Sequence, residues 1–287
     1  MFTTLVDTGA LAAHLDDHHD GPRWVIVDCR FVLTDPEAGR RAYATRHIPG
    51  ARYANLNEDL ASPVRANTGR HPLPDPDALA RTLGAWGIGN DSQVIVYDDS
   101  FGSIAARLWW LLRWLGHGKV ALLDGDIRKW IREGRATTGK TPAVTPRRFE
   151  PRPDDRLWVA AAQVESLRMR SDARLLDVRA EERFTGDAEL LDPVAGHIPG
   201  SRNHPYEDNL DYDGTFLPAE ELRALYQDAL GPASPDDAVV MCGSGVTACH
   251  SLLALEHAGL AGAKLYAGSW SEWIRDPGRP VATGHEV

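Results

Sequence analysis

The chain has 287 residues, 43% of them hydrophobic and 25% charged, with 31 basic against 41 acidic side chains and a formal net charge of -10. That length corresponds to about two domains of roughly 100–200 residues, with apolar material enough for two cores. The acidic balance repels phosphate backbones and argues against nucleic acid as a partner, and no apolar run reaches the roughly 20 residues of a membrane helix, so no membrane is expected.

In chain order, the start Met1-Phe2-Thr3-Thr4-Leu5-Val6-Asp7 has no basic segment leading into an apolar one, so no secretory signal is expected. Residues 25–27 and 94–97 read as short buried strands, and 77–83 and 104–115 as helices. Next comes Thr141-Pro142-Ala143-Val144-Thr145-Pro146-Arg147-Arg148-Phe149-Glu150-Pro151-Arg152-Pro153, whose prolines favour an extended, semi-rigid linker. Beyond it, 175–178 and 239–241 read as strands, and 219–230 and 246–258 as helices. Strands without polar alternation suit a parallel sheet covered on both faces.

The two halves repeat one another. Val25-Ile26-Val27-Asp28-Cys29-Arg30 matches Arg174-Leu175-Leu176-Asp177-Val178-Arg179, and His47-Ile48-Pro49-Gly50 matches His197-Ile198-Pro199-Gly200. Val94-Ile95-Val96-Tyr97-Asp98 matches Ala238-Val239-Val240-Met241-Cys242, and the segment from Gly125 to Trp130 matches that from Gly268 to Trp273. The order is the same in both halves, as in a duplicated domain. The expected fold class is α/β, two tandem doubly wound domains, each with a central parallel sheet flanked by helices. The expected boundaries are 1–141, a linker at 142–156, and 157–287. Ligands of such sheets bind beyond the carboxyl ends of the strands, where Cys242 sits.

The segment Met241-Cys242-Gly243-Ser244-Gly245-Val246-Thr247-Ala248-Cys249 carries the chemistry. A strand ends at Met241, and a helix is expected from Val246 or Thr247. The glycine-rich turn between them can curl its N–H groups inward, and a nest of this kind at the positive end of a helix dipole stabilises an anion. A cysteine there is held as the nucleophilic thiolate. Three cysteines in all, Cys29, Cys242 and Cys249, make a poor disulfide framework and fit a reducing, cytoplasmic setting.

This loop, from Cys242 to Ala248, resembles the active-site loop of the 3-mercaptopyruvate sulfurtransferases of the rhodanese superfamily. The paired His-Ile-Pro-Gly segments, the Asp-x-Arg strand ends and the duplication are similar to that family as well, so the resemblance covers nearly the whole chain. It implies a C-terminal catalytic domain and an N-terminal, non-catalytic rhodanese-like one, in keeping with Asp98 where the first half would need its cysteine. The N-terminal segment Asp98-Asp99-Ser100-Phe101-Gly102 has also lost the glycine pattern of the nest.

By the same resemblance, Cys242 carries a sulfur atom as a persulfide between a small anionic donor and a thiol, thioredoxin-like or cyanide acceptor. Gly243, Gly245, Val246, Thr247 and Ala248 line the nest. Ser244 relays a proton or binds the donor carbonyl, and His71 completes a serine–histidine–aspartate arrangement. Arg183 binds the donor's anionic group, which a guanidinium fork suits. Two positions depart from the pattern. Asn57 stands where the family aspartate would pair with His71, with Asp59 close by as a substitute. A second donor-binding arginine after Arg183 is missing, with Asp192 nearby.

Other residues read more simply. Asp28 with Arg30, and Asp177 with Arg179, fix loops; His47 and His197 are structural; Cys249 is packed. Trp109, Trp110 and Trp114 read as core or domain interface. His14 and His18 share a helix spacing, yet no cysteine or carboxylate cluster completes a metal site, so neither metal nor cofactor is expected. The uncharged Gly243-Ser244 pair speaks for mercaptopyruvate over thiosulfate, which stays open as the alternative donor. A phosphatase would need an arginine where Ala248 stands, and a non-enzymatic sulfur carrier is the remaining reading.

Overall fold

The computed structural model describes residues 1–16 and 24–285; His18 lies outside them. The chain forms two compact units. The first comprises Met1–Ser62, Leu73–Asp154 and Tyr212–Thr215, and the second Pro63–Pro72, Asp155–Asp211 and Phe216–Val287. The short segment carrying His71 therefore packs with the second unit, although it lies in the N-terminal half of the sequence.

The first unit contains β1 (Leu5–Val6), α1 (Thr8–Asp16), β2 (Trp24–Asp28), α2 (Ala38–Thr45), β3 (Arg52–Tyr53), α3 (Pro76–Ala85), β4 (Gln93–Tyr97), α4 (Ala105–Trp114), β5 (Val120–Leu123) and α5 (Asp126–Arg132). Its five strands run in the order β1-β5-β4-β2-β3, and every pairing is parallel. The second contains β6 (Trp158–Val159), α6 (Ala161–Leu167), β7 (Arg174–Asp177), α7 (Glu181–Thr185), β8 (Ser201–Asn203), α8 (Ala219–Leu230), β9 (Ala238–Met241), α9 (Ala248–His257), β10 (Lys264–Tyr266) and α10 (Ser269–Trp273). Its order, β6-β10-β9-β7-β8, repeats that of the first, again all parallel. The expected α/β architecture of two parallel sheets is therefore the one observed.

The apolar strand sequences follow from this position. Every residue of β4 and β9, the middle strand of each sheet, is buried, and burial on both faces removes the alternation an exposed face would impose. In the first unit Ile26, Ile95, Tyr97, Ile127 and Trp130 form a core on one face of the sheet; Leu175, Ile198, Met241, Trp270 and Trp273 do so in the second. Trp109, Trp110 and Trp114 are buried on α4.

The proline-rich stretch runs extended along the first unit and is hydrogen-bonded to it. The N–H groups of Arg147, Arg152 and Asp154 donate to the carbonyls of Gly84, Leu115 and Trp114 at 2.9, 2.9 and 2.8 Å. Gly84 permits the approach, because a Cβ there would lie 2.4 Å from the Arg147 carbonyl oxygen.

The strand-end ion pairs hold loops in both units, as their sequence suggests. Arg30 Nε lies 3.0 Å from both oxygens of Asp28, and its Nη2 also donates to the Arg46 carbonyl at 2.8 Å. Arg179 repeats this on Asp177, with its Nη2 donating to Gly196 at 2.7 Å. Next door, His47 stacks on Tyr43 and His197 on Phe184, at 4.0 and 3.8 Å between ring centres.

In the loop after β4 a nest forms without that glycine pattern. The two carboxylate oxygens of Asp98 accept the backbone N–H groups of Ser100, Gly102, Ile104 and Ala105 at 2.9, 2.8, 2.9 and 2.9 Å. Phe101 takes φ 58°, a conformation usually left to glycine. The four hydrogen bonds hold it there, so the loop shape survives without the glycine pattern. Burial raises the Asp98 carboxyl above its ordinary range, and the four donated bonds oppose that rise.

Asp98→Ala strands those four buried donors at once. The expected result is a loss of at least about 3 kcal/mol of stability, with Asp98→Asn less severe because its carbonyl still accepts. Denaturant unfolding of the two variants beside the native protein measures this.

Candidate active site

Cys242 follows the middle strand β9 directly, in the position Asp98 holds after β4, and its side chain is buried. Gly245, with φ 74°, occupies the place of Phe101, whereas Gly102, with φ 90°, has no left-handed counterpart at Val246. A side chain at Gly245 has no room, since its Cβ would lie 2.2 Å from the Ala267 carbonyl oxygen. The helix α9 begins at Ala248 rather than at Val246, because residues 243–247 are spent on the turn. Within that turn Val246 is buried, and Cys249 on the new helix donates its Sγ–H to the Gly245 carbonyl at 3.4 Å.

The start of α10 holds the loop in place. Ser269 Oγ accepts the Cys242 N–H at 3.1 Å and donates to the Tyr266 carbonyl at 2.8 Å. The N–H groups of Trp270 and Ser271 donate to the carbonyls of Cys242 and Gly243 at 3.0 and 2.9 Å. Backbone on both sides of the sulfur-bearing residue is thus fixed by one short helix.

Residues 63–72 dock on the same place. Gly69 approaches so closely that a Cβ there would lie 2.5 Å from the Gly268 carbonyl oxygen. Beside it the Arg70 N–H donates to Ser271 Oγ at 3.0 Å. This puts His71 against the loop, with its Nδ1 2.8 Å from Ser244 Oγ and both residues buried. The histidine and serine singled out in the sequence therefore meet. Asn57 and Asp59 belong to the first unit, where they close a local turn: Asp59 accepts the Asn55 N–H at 2.7 Å, and the Asn57 N–H donates to Asn55 Oδ1 at 2.9 Å.

Arg183 reaches the loop from α7. An ideal Cβ on Gly243 would lie 3.5 and 3.6 Å from its two Nη atoms, and 3.0 Å from Nη2 of Arg70. Two guanidiniums therefore converge over the residue next to Cys242. Arg70 was not singled out in the sequence, because a lone arginine before His71-Pro72 carries no pattern of its own. Asp192 joins the pair: one oxygen meets Arg70 Nη1, and the other accepts Arg183 Nη2 at 3.0 Å. Glu189 takes Arg183 Nη2 at 2.9 Å. Burial raises the Glu189 carboxyl, but the Arg183 hydrogen bond and the N–H groups of Leu191 and Asp192 outweigh it and leave the group below its ordinary range.

A parallel α/β unit thus brings a buried cysteine, a serine–histidine pair and two arginines together at the turn after its middle strand. Comparison with known proteins supplies the family. The rhodanese-like domain model matches twice, over residues 11–133 and 160–276, and the chain belongs to that family. It is 50% identical over 282 residues, 98% of either chain, to a probable 3-mercaptopyruvate sulfurtransferase of Pseudomonas aeruginosa. It is 34% identical over 281 residues to the thiosulfate sulfurtransferase of Cricetulus griseus, covering 96% of this chain and 93% of that one. The Escherichia coli crystal structure described for the 3-mercaptopyruvate sulfotransferases superposes with a TM-score of 0.80 at 31% identity, covering 94% of this chain and all of that one, 100%.

The Glu189 contacts give a pH dependence of known sign. A carboxyl whose folded pKa lies below its ordinary 4.5 stabilises the fold above that value, and the contribution is lost as pH falls through the folded value. Glu189→Gln is expected to lower stability at pH 7 by about 1–3 kcal/mol. The gap to native protein should close on acidification toward pH ~3. Unfolding midpoints across that range test it; a gap that widens in acid contradicts the assignment.

Proposed function

We propose that the second unit is a sulfurtransferase that moves sulfane sulfur from 3-mercaptopyruvate to a thiol or cyanide, with Cys242 as the carrier. The observation that supports this most is the pair of matched loops. After the middle strand of the first unit, four amides grip the anion of Asp98; the matched turn of the second unit offers a cysteine at that place.

In the first half-reaction the Cys242 thiolate attacks the donor sulfur. The carbon–sulfur bond breaks, its electron pair stays on carbon as the enolate of pyruvate, and a proton completes pyruvate. Ser244, hydrogen-bonded to His71, is the nearest source of that proton, and Arg183 binds the carboxylate. In the second half-reaction an acceptor thiolate or cyanide attacks the outer sulfur, and the Cys242 thiolate leaves. Gly243, Gly245, Val246, Thr247 and Ala248 form the wall in which the outer sulfur rests. The first unit, with Asp98 filling its own nest, is non-catalytic. A thioredoxin-like protein is the proposed cellular acceptor. Among the described residues no helix is long and apolar enough to cross a membrane, and three free, buried cysteines fit a reducing compartment such as the cytoplasm.

Sulfur transfer to cyanide from 3-mercaptopyruvate and from thiosulfate tests the reading. Mercaptopyruvate should be at least about tenfold the better donor, and Cys242→Ala should abolish both activities. The native protein, after donor and before acceptor, should gain the mass of one sulfur atom. Ser244→Ala should slow mercaptopyruvate turnover about 100-fold or more, the usual weight of a positioned proton donor. Thiosulfate turnover should fall less, because sulfite leaves without needing a proton. Full activity in Cys242→Ala overturns the persulfide reading, and a thiosulfate preference overturns the donor assignment alone.

A further inference from the structure

We infer that Arg70 is a donor-binding residue, and that with Arg183 it forms the two-guanidinium seat for the donor's carboxylate. This rests on the sulfurtransferase reading and names what selects the substrate of that site. The sequence after Arg183 offers no second cation and places Asp192 there instead. The structure puts the missing cation on residues 63–72, with Asp192 serving to hold it.

The atoms left over carry the inference. Arg183 spends Nε on Glu189 at 3.0 Å, and Nη2 on Glu189 and Asp192 at 2.9 and 3.0 Å. Arg70 spends Nη1 on Asp192. No hydrogen bond to Arg183 Nη1 or Arg70 Nη2 is found among the described residues, and both atoms face Gly243. An ideal Cβ there would lie 3.5 Å from the first and 3.0 Å from the second. The side chain of Asp192 is buried, whereas those of Arg70 and Arg183 keep 23% and 19% of their surface open. The carboxylate thus grips the inner edges of two planar forks and leaves their outer edges to an incoming anion. In addition, Nε of Arg70 is buried with no hydrogen-bond partner among the described residues, a donor that an anion over Gly243 is placed to relieve.

The geometry explains the glycine as well. Any side chain at 243 would occupy the point on which both guanidiniums converge, so Gly243 is the floor of the carboxylate seat. A carboxylate there sits one residue from Cys242, about the reach of a three-carbon acid whose sulfur is to be attacked. Two forks can each offer an N–H to one carboxylate oxygen, the charge-assisted arrangement that Arg favours over Lys.

The test separates binding from chemistry. Arg70→Gln should raise the KM for 3-mercaptopyruvate about tenfold to a hundredfold. The inhibition constant of pyruvate, which shares the carboxylate but has no sulfur to give, should rise in parallel. The kcat should stay within about threefold, and discharge of a preloaded persulfide to cyanide should be unchanged. Arg70→Lys keeps the charge and its link to Asp192 but loses the fork, and should show a smaller rise of several-fold. This variant carries the test if Arg70→Gln does not fold. An unchanged KM and pyruvate constant in both Arg70 variants overturns the inference. A matching loss in persulfide discharge overturns it too, since Arg70 would then act through the shape of the loop. Full transfer by Cys242→Ala would instead sink the persulfide reading, a result these binding measurements cannot imitate.

Discussion

A negative charge must be held at the carboxyl end of a buried parallel strand, away from bulk water. The first unit meets this demand with the turn that follows its middle strand, and the second carries the corresponding turn. In the first, the charge is built into the chain as Asp98, and four amides satisfy its two oxygens. In the second, the same place falls to Cys242. On the proposed function, the change from carboxylate to thiol separates a turn that is complete in itself from one that accepts sulfur. Closure goes further in the first unit, where the Arg128 guanidinium lies 3.7 Å over the Phe101 ring. At the corresponding positions the second unit carries Gly245 and Ser271, and Ser271 meets Gly69 and Arg70 instead.

The fold was legible in the sequence because each signal was local and repeated. The strand runs stand out because all of β4 and β9 is buried, and the duplicated Asp-x-Arg and His-Ile-Pro-Gly segments fix loop and turn in each half. Cys242, Ser244 and the glycines of the turn lie within a few residues of one another, so their chemistry could be read together. The docking of residues 63–72 beside α10 is non-local: one N–H to Ser271 Oγ and a close pass of Gly69 over Gly268 hold it. No periodicity reports such a contact. The first unit's nest is hidden in the sequence for a related reason. Glycine content suggested whether the turn could form, whereas four hydrogen bonds to Asp98 decided it, at the cost of a left-handed Phe101.

Asp192 makes the arginine pair tenable. Two guanidiniums converging on one glycine repel each other, and in a partly buried site water does little to screen that repulsion. A buried carboxylate between them, one oxygen to each, cancels much of it and fixes both planes. Glu189 adds a second negative charge on the far side of Arg183. The cluster is therefore close to neutral before any donor arrives, which spares the fold the expense of an unpaired buried charge. It also means that affinity for an anion comes from oriented N–H groups more than from net charge. Orientation of this kind discriminates by shape: it favours a planar carboxylate with two oxygens over a tetrahedral sulfonate end of equal or greater charge. The uncharged Gly243-Ser244 stretch works in the same direction, since it adds no cation that would reward a dianion. On the inference drawn from Arg70, preference for the donor lies in how Asp192 aims two arginines, and the sulfur chemistry proposed for Cys242 is left free to serve either donor.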